Sequence, residues 1–173
     1  MITPERIFTV VGALVALLLQ VVLAPYIPVF SAIPNFIVAY TCALAIARSH
    51  SFGPVMPFVL GLLFDIVGGG PIGAMAFSLT LFSSVASRVF SGASNDTVFM
   101  AGAFVALAVL LVDLSYGVFL LLFGYNASLF EVIAYRIFPC FVYDVILSII
   151  VFFVVHRFVQ PTVATRTDIT QLR

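Results

Sequence analysis

Three aspartates stand inside long apolar runs of this sequence: Asp65 in 58-FVLGLLFDIVGGGPIGAMAF-77, Asp113 in the run ending near Phe123, and Asp144 in 138-FPCFVYDVILSII-150. If those runs cross a bilayer, each carboxylate costs about 2.5–3.5 kcal/mol on insertion scales, so each should face protein and find partners. Counting at about 1.5 Å per residue places all three acids, together with Arg136, in one half of the membrane. Tyr116 lies three residues from Asp113, and Tyr143 precedes Asp144. Their hydroxyls, and that of Tyr40, are candidate donors to the acids. The group Asp65, Asp113, Asp144, Arg136, Tyr116 and Tyr143 is therefore the candidate functional cluster. Two roles are open to it. It can line an outward-facing polar cavity for a ligand or partner segment. Or Asp65 or Asp144 can pair with Arg136, the rest serving as hydrogen-bonded packing pins.

Other chemistries lack their residues. Tyr143-Asp144 matches half of an intramembrane aspartyl-protease signature, but the GxGD half is missing; Gly61-Leu62-Leu63-Phe64-Asp65 has the wrong spacing and comes first. Gly68-Gly69-Gly70-Pro71 is not a phosphate loop, since that motif needs a lysine and the sequence has none. It reads instead as a tight turn, with Pro71 starting the next helix. His50 and His156 are isolated, and Cys42 and Cys140 each sit in an apolar run without a CxxC neighbour, so they read as buried small side chains. No catalytic residue, metal or cofactor is expected.

The elements that must position the cluster follow from composition. The sequence is 64% hydrophobic and 8% charged over 173 residues, against roughly 25% charged in soluble domains. A chain of this kind requires the bilayer as solvent. Six apolar segments can be marked, at 5–24, 34–48, 54–68, 71–91, 97–123 and 129–158. The second and third fall short of the roughly 17–25 residues that a span needs. Pro139 is expected to kink the sixth, which Ser128 and Glu131 open as a capping box. Residues 1–158 thus form one transmembrane domain of six helices, and 159–173 a short tail. With the N-terminus inside, Arg6, Arg48, Arg88, Arg157, Arg166 and Arg173 all fall on the cytoplasmic side, and only Arg136 lies near the outer face. This distribution satisfies the positive-inside rule. Seven basic against seven acidic residues leave no basic patch for nucleic acid. Small-residue stripes such as Ala39, Ala43 and Ala47 are expected to let helices approach closely within the chain.

The order of small residues and the acid carries a resemblance. Pro34-Asn35 opens the second segment and Tyr40 follows. Gly53, Phe58, Gly61 and Asp65 come next at fixed spacing, then Gly69, Gly73 and Ala76. This pattern resembles the bacterial rod-shape-determining MreD family. The resemblance is strong over residues 34–85 and general elsewhere. In the sixth helix Asp144 follows Pro139 where many members have asparagine. The resemblance implies a non-enzymatic component of the elongation machinery in the cytoplasmic membrane, with both termini inside. It would scaffold an MreC-like protein, the MreB filament, and RodA with a class B penicillin-binding protein. It also implies a six-helix, all-α bundle similar to the substrate-binding subunits of energy-coupling-factor transporters. The alternative reading is a vitamin-type small-molecule binding subunit of a membrane transporter. Such subunits tend to carry an AxxxA face in their first helix. Here the first helix has only Gly12 and Ala16, and the outer loops are short.

Overall fold

The computed structural model describes residues 4–28, 32–92, 97–123 and 138–159, with side chains described from Ile7 to Arg157. Six α-helices make up the described chain: α1 (Pro4–Leu18), α2 (Phe36–Ala47), α3 (Val55–Gly68), α4 (Ala74–Ser91), α5 (Val98–Leu122) and α6 (Phe138–Val159). A π-helical turn over Leu19–Leu23 and a short 3-10 turn over Ala24–Tyr26 extend α1. Pro25 and Pro28 follow there, and neither can donate to a continuing helix.

Four stretches are long and apolar enough to cross a membrane: Ile7–Tyr26, Ala74–Ser91, Val98–Leu122 and Phe138–Arg157. The two expected to be short are short. Helix α2 has 12 residues and α3 has 14, or about 18 and 21 Å against a hydrocarbon core of about 30 Å. Residues 34–35 are not helical, so α2 starts at Phe36 with Asn35 as its N-cap. Pro71 belongs to the turn rather than to α4. The Ala74 N–H donates to its carbonyl at 3.1 Å, and α4 begins at Ala74. The described part of α6 begins at Phe138, one residue before Pro139, so the expected kink turns on residues outside the described ones. Ser128, Glu131 and Arg136 lie outside the described residues.

Helix α2 is the axis of the bundle. Every residue from Phe36 to Ile46 is buried, on all faces. It packs most extensively on α6, then on α4, α5 and α1. The Ala39 and Ala43 stripe is fully buried, so its small side chains serve packing within this chain. Successive helices run antiparallel. Helix α1 meets α2 with Gln20 at the start of α2 and Thr9 at its end. Helix α4 meets α5 through edge-to-face pairs of Phe77 with Phe119 and Phe90 with Phe104. The outward faces are apolar, as on Val10, Leu14 and Leu18 of α1 and Val55, Val59 and Ile66 of α3. Lipid tails can solvate such a surface and water cannot.

Candidate functional site

The amides at the start of α4 set the problem that Asp65 solves. The first four N–H groups of a helix have no partner within it, and near hydrocarbon each must be satisfied by protein. The sequence at the start of α4 is Gly73-Ala74-Met75-Ala76, which has no side chain able to cap. Asp65, in the last turn of α3, reaches across. Its Oδ2 accepts from the Gly73 N–H at 2.9 Å and from the Ala76 N–H at 3.3 Å, and the Met75 N–H lies 3.1 Å from both carboxyl oxygens. The remaining donor, Ala74 N–H, goes to the Pro71 carbonyl. All four amides are thereby accounted for. The carboxyl, 1% exposed, also faces the positive end of the α4 dipole.

The glycines around Asp65 make this reach possible. Gly69 and Gly73 adopt φ of +66° and +96°, left-handed values that a Cβ disfavours. They turn the chain so that α4 descends beside α3. Gly61 lets the two helices touch: a Cβ there would lie 2.5 Å from the Ala76 Cα and 2.7 Å from its nitrogen. Tyr116 closes the hairpin from α5. Its ring stacks edge-on against Phe64, and its hydroxyl sits where a Gly70 Cβ would project, 2.5 Å away.

The start of α2 is held in the same manner by different residues. Asp144 of α6 accepts the Asn35 N–H through Oδ1 at 2.7 Å. Gln20 accepts the Phe36 N–H at 2.7 Å and donates to the Pro34 carbonyl at 3.3 Å. The Asn35 side chain accepts from the Val38 N–H at 3.1 Å. Asp144 is 1% exposed. Thus two short-range problems, the open ends of α2 and α4, are each met by an aspartate from another helix. Both lie at the same end of the bundle.

The six candidate residues therefore divide. Asp65 and Tyr116 belong to the α3–α4 hairpin. Asp113 lies buried on α5, which packs against the α6 that carries Asp144. The described hydrogen bonds of Asp65 all go to the start of α4 and none to these two acids. The Tyr143 hydroxyl donates to the Ile27 carbonyl at 3.3 Å, and that of Tyr40 to the Thr9 carbonyl at 2.9 Å. For both, the expected acid partner is replaced by a main-chain oxygen. Arg136 cannot be placed, being outside the described residues. Along α4 the hydroxyls of Thr80, Ser83, Ser87 and Ser91 donate to the carbonyls of Ala76, Leu79, Ser49 and Arg88, while the buried Ser84 hydroxyl has no partner among the described residues. Cys42 and Cys140 are thiols rather than a disulfide; Cys42 is buried as expected and Cys140 only partly. Gln20 and Thr9 were not singled out from the sequence, although each is a polar residue in an apolar run.

Compared with known families, the chain matches the model described as rod shape-determining protein MreD over residues 5–162. The chain belongs to the MreD family. It is accordingly a rod-shape-determining membrane protein. Comparisons with curated proteins and with solved structures give no match. The residues that carry the MreD resemblance can now be read physically. The Pro34 carbonyl accepts from Gln20 and the Asn35 N–H donates to Asp144, which anchors α2. Tyr40 ties α2 to α1, packing where a Gly12 Cβ would stand 2.5 Å from its hydroxyl. Gly61, Asp65, Gly69, Gly73 and Ala76 build the α3–α4 hairpin. Phe58 is different: its ring is 49% exposed on the outer face of α3. Gly53 has open space where a Cβ would go and an ordinary φ, and nothing in the structure explains it.

Proposed function

We propose that this chain is a non-enzymatic scaffold of the bacterial cell-elongation machinery. It would hold an MreC-like protein beside the MreB filament and the RodA–class B penicillin-binding protein pair during lateral peptidoglycan synthesis. The observation that carries this reading is the MreD family match over nearly the whole chain. The described residues support it in a second way. Asp65, Asp144, Gln20 and Tyr40 each join one helix to another, as a rigid platform requires.

We further place the protein in the cytoplasmic membrane with both termini inside. Arg48 follows the end of α2, while Arg88 and Arg157 lie in the last turns of α4 and α6. These three helices run in the same direction, so the three arginines gather at one end of the bundle, as the positive-inside rule expects of a cytoplasmic face.

The test is depletion in a rod-shaped host that has no second copy. Cells should round, and the tagged chain should co-purify from membranes with an MreC-like protein. Continued rod-shaped growth after complete depletion would refute the reading.

A further inference from the structure

Helix α3 begins deeper in the bundle than α4 ends beside it. Gly61 touches α4 at Ala76, where a Cβ would lie 2.5 Å from the Ala76 Cα. The two helices run antiparallel, and α3 starts at Val55. Counting from the Gly61–Ala76 contact sets Val55 level with about residue 82 of α4. Helix α4 continues about 13 Å farther, to Ser91, and its exposed Arg88 lies about 9 Å beyond the level of Val55. The α2–α3 connection climbs this step. At its foot the Ser87 hydroxyl of α4 donates to the Ser49 carbonyl at 2.9 Å.

The start of α3 is also built unlike the starts of α2 and α4. Its N-cap is Pro54, which makes no side-chain hydrogen bond. Pro54 and Pro57 carry no N–H, and the Phe58 N–H donates to the Pro54 carbonyl at 3.2 Å. The chain thus reduces the number of amides that need an acceptor there, and it leaves the place open. Gly53 and Pro54 are exposed, Val55 is 73% exposed, and a Cβ on Gly53 would meet nothing. Open main chain at this depth needs water or headgroups, since lipid tails cannot bond it.

We propose that headgroups and water dip to the start of α3, so that the protein thins the bilayer beside this helix from the arginine-bearing side. The exposed residues of α3 are apolar from Val55 through Phe58 and Val59 to Ile66 and Val67. The whole helix measures about 21 Å against a hydrocarbon core of about 30 Å. A short apolar face is matched by flanking side chains that reach to the headgroups, by association, or by a thinner bilayer. The flanks here are Gly53-Pro54 on one side and Gly69-Gly70-Pro71 on the other, which have no side chain to extend. Phospholipids with shorter acyl chains fit this face best. Other membrane proteins with short apolar spans would gather at the same thin patch, because sharing it reduces the total mismatch.

The sequence contains no tryptophan, so single tryptophans report one position each. The experiment compares Val55→Trp with Phe153→Trp in the full-length chain, reconstituted in vesicles of dioleoylphosphatidylcholine. The Asn35–Asp144 and Ser87–Ser49 bonds set Phe153, 55% exposed on α6, level with Val55. Val55→Trp should lose its fluorescence to aqueous iodide, while Phe153→Trp should keep it and be quenched by lipid brominated near the chain end. Equal shielding of both positions, or equal access to iodide, would overturn the proposal. Shielding of Val55→Trp that vanishes on dilution into excess lipid would also overturn it, and would assign the face to a second copy. If Val55→Trp does not fold, hydrogen exchange of the wild-type chain in nanodiscs of the same lipid decides. The Val55 and Met56 amides should exchange quickly, and those of Met75 and Ala76, bonded to Asp65, slowly. Exchange at Val55 and Met56 as slow as at Met75 would refute the thinning.

Discussion

Replacing Asp65 by leucine sets two energies against each other. Membrane insertion of α3 should improve. An aspartate at a helix centre costs about 2.5–3.5 kcal/mol on insertion scales, and less in the last turn where Asp65 stands, whereas leucine gains about 0.3–0.6 kcal/mol at the centre. The folded bundle should suffer. Asp65→Leu leaves the Gly73, Met75 and Ala76 amides without acceptors, at about 1–3 kcal/mol for each buried unsatisfied donor. Allowing for relaxation, the loss is about 3–6 kcal/mol, which exceeds the insertion gain once helices must pack. At about 2–4 °C per kcal/mol for a chain of this size, the melting temperature of the purified protein should fall by roughly 6 °C or more. Asp65→Asn keeps one acceptor but loses the charge and presents an N–H₂ group to the α4 amides; it should lie between leucine and wild type. The assay is thermal unfolding in one detergent, alongside the membrane-inserted fraction in cells. If Asp65→Leu inserts and melts as wild type does, the clasp between α3 and α4 contributes nothing and the argument fails.

Four further outcomes test the rest of the framework. Gly61→Ala drives a methyl into the α4 backbone at Ala76 and should destabilise by about 1–3 kcal/mol as overpacking does, measured by the same unfolding assay. Gly73→Ala places a Cβ at φ +96° and should cost about 1–2 kcal/mol, whereas Gly53→Ala, which meets nothing, should leave the melting temperature unchanged. Gln20→Leu removes the acceptor of the Phe36 amide and should lower stability by about 1–3 kcal/mol. Tyr40→Phe, which loses only its bond to the Thr9 carbonyl, should cost about 0.5–1.5 kcal/mol and preserve cell shape in complementation.

Much of the architecture was legible because composition and helix punctuation are local. Proline and glycine at 68–73 announce the α3–α4 turn, and the shortness of α2 and α3 follows from counting. The partners of the acids were not legible, for a geometric reason. Counting residues along helices gives depth, and depth alone grouped Asp65 with Asp113 and Asp144. Which neighbour each acid faces depends on rotation about the helix axis, and that is set by packing. The partner of Asp65 did have a trace in the sequence: an acid eight to eleven residues before a helix start that has no capping side chain of its own. Gln20 had a similar trace, as an amide in an apolar run with nothing local to bond. Tyr40 and Tyr143 misled because a deep tyrosine beside acids suggests a hydroxyl–carboxylate bond, whereas carbonyls at Thr9 and Ile27 compete for the same donor.

The shortness of α2 explains why acids are placed in this membrane protein at all. A helix of about 18 Å in a core of about 30 Å ends roughly 6 Å below a hydrocarbon surface if it is centred. Its open amides then have neither water nor a following turn to bond. A neutral cap such as Asn35 reaches one of them, the Val38 N–H. The others need acceptors brought from outside the helix, and only neighbouring helices can supply them at that depth. Asp144 and Gln20 do so for α2, and Asp65 does so for α4, where Gly73-Ala74-Met75-Ala76 offers no acceptor of its own. A carboxylate suits the task because its oxygens can take several amides at once and its charge complements the helix dipole. On this account an intramembrane acid in this fold is expected wherever a helix begins inside the bundle. Asp113 begins no helix and caps none, and that is what sets it apart from the other two.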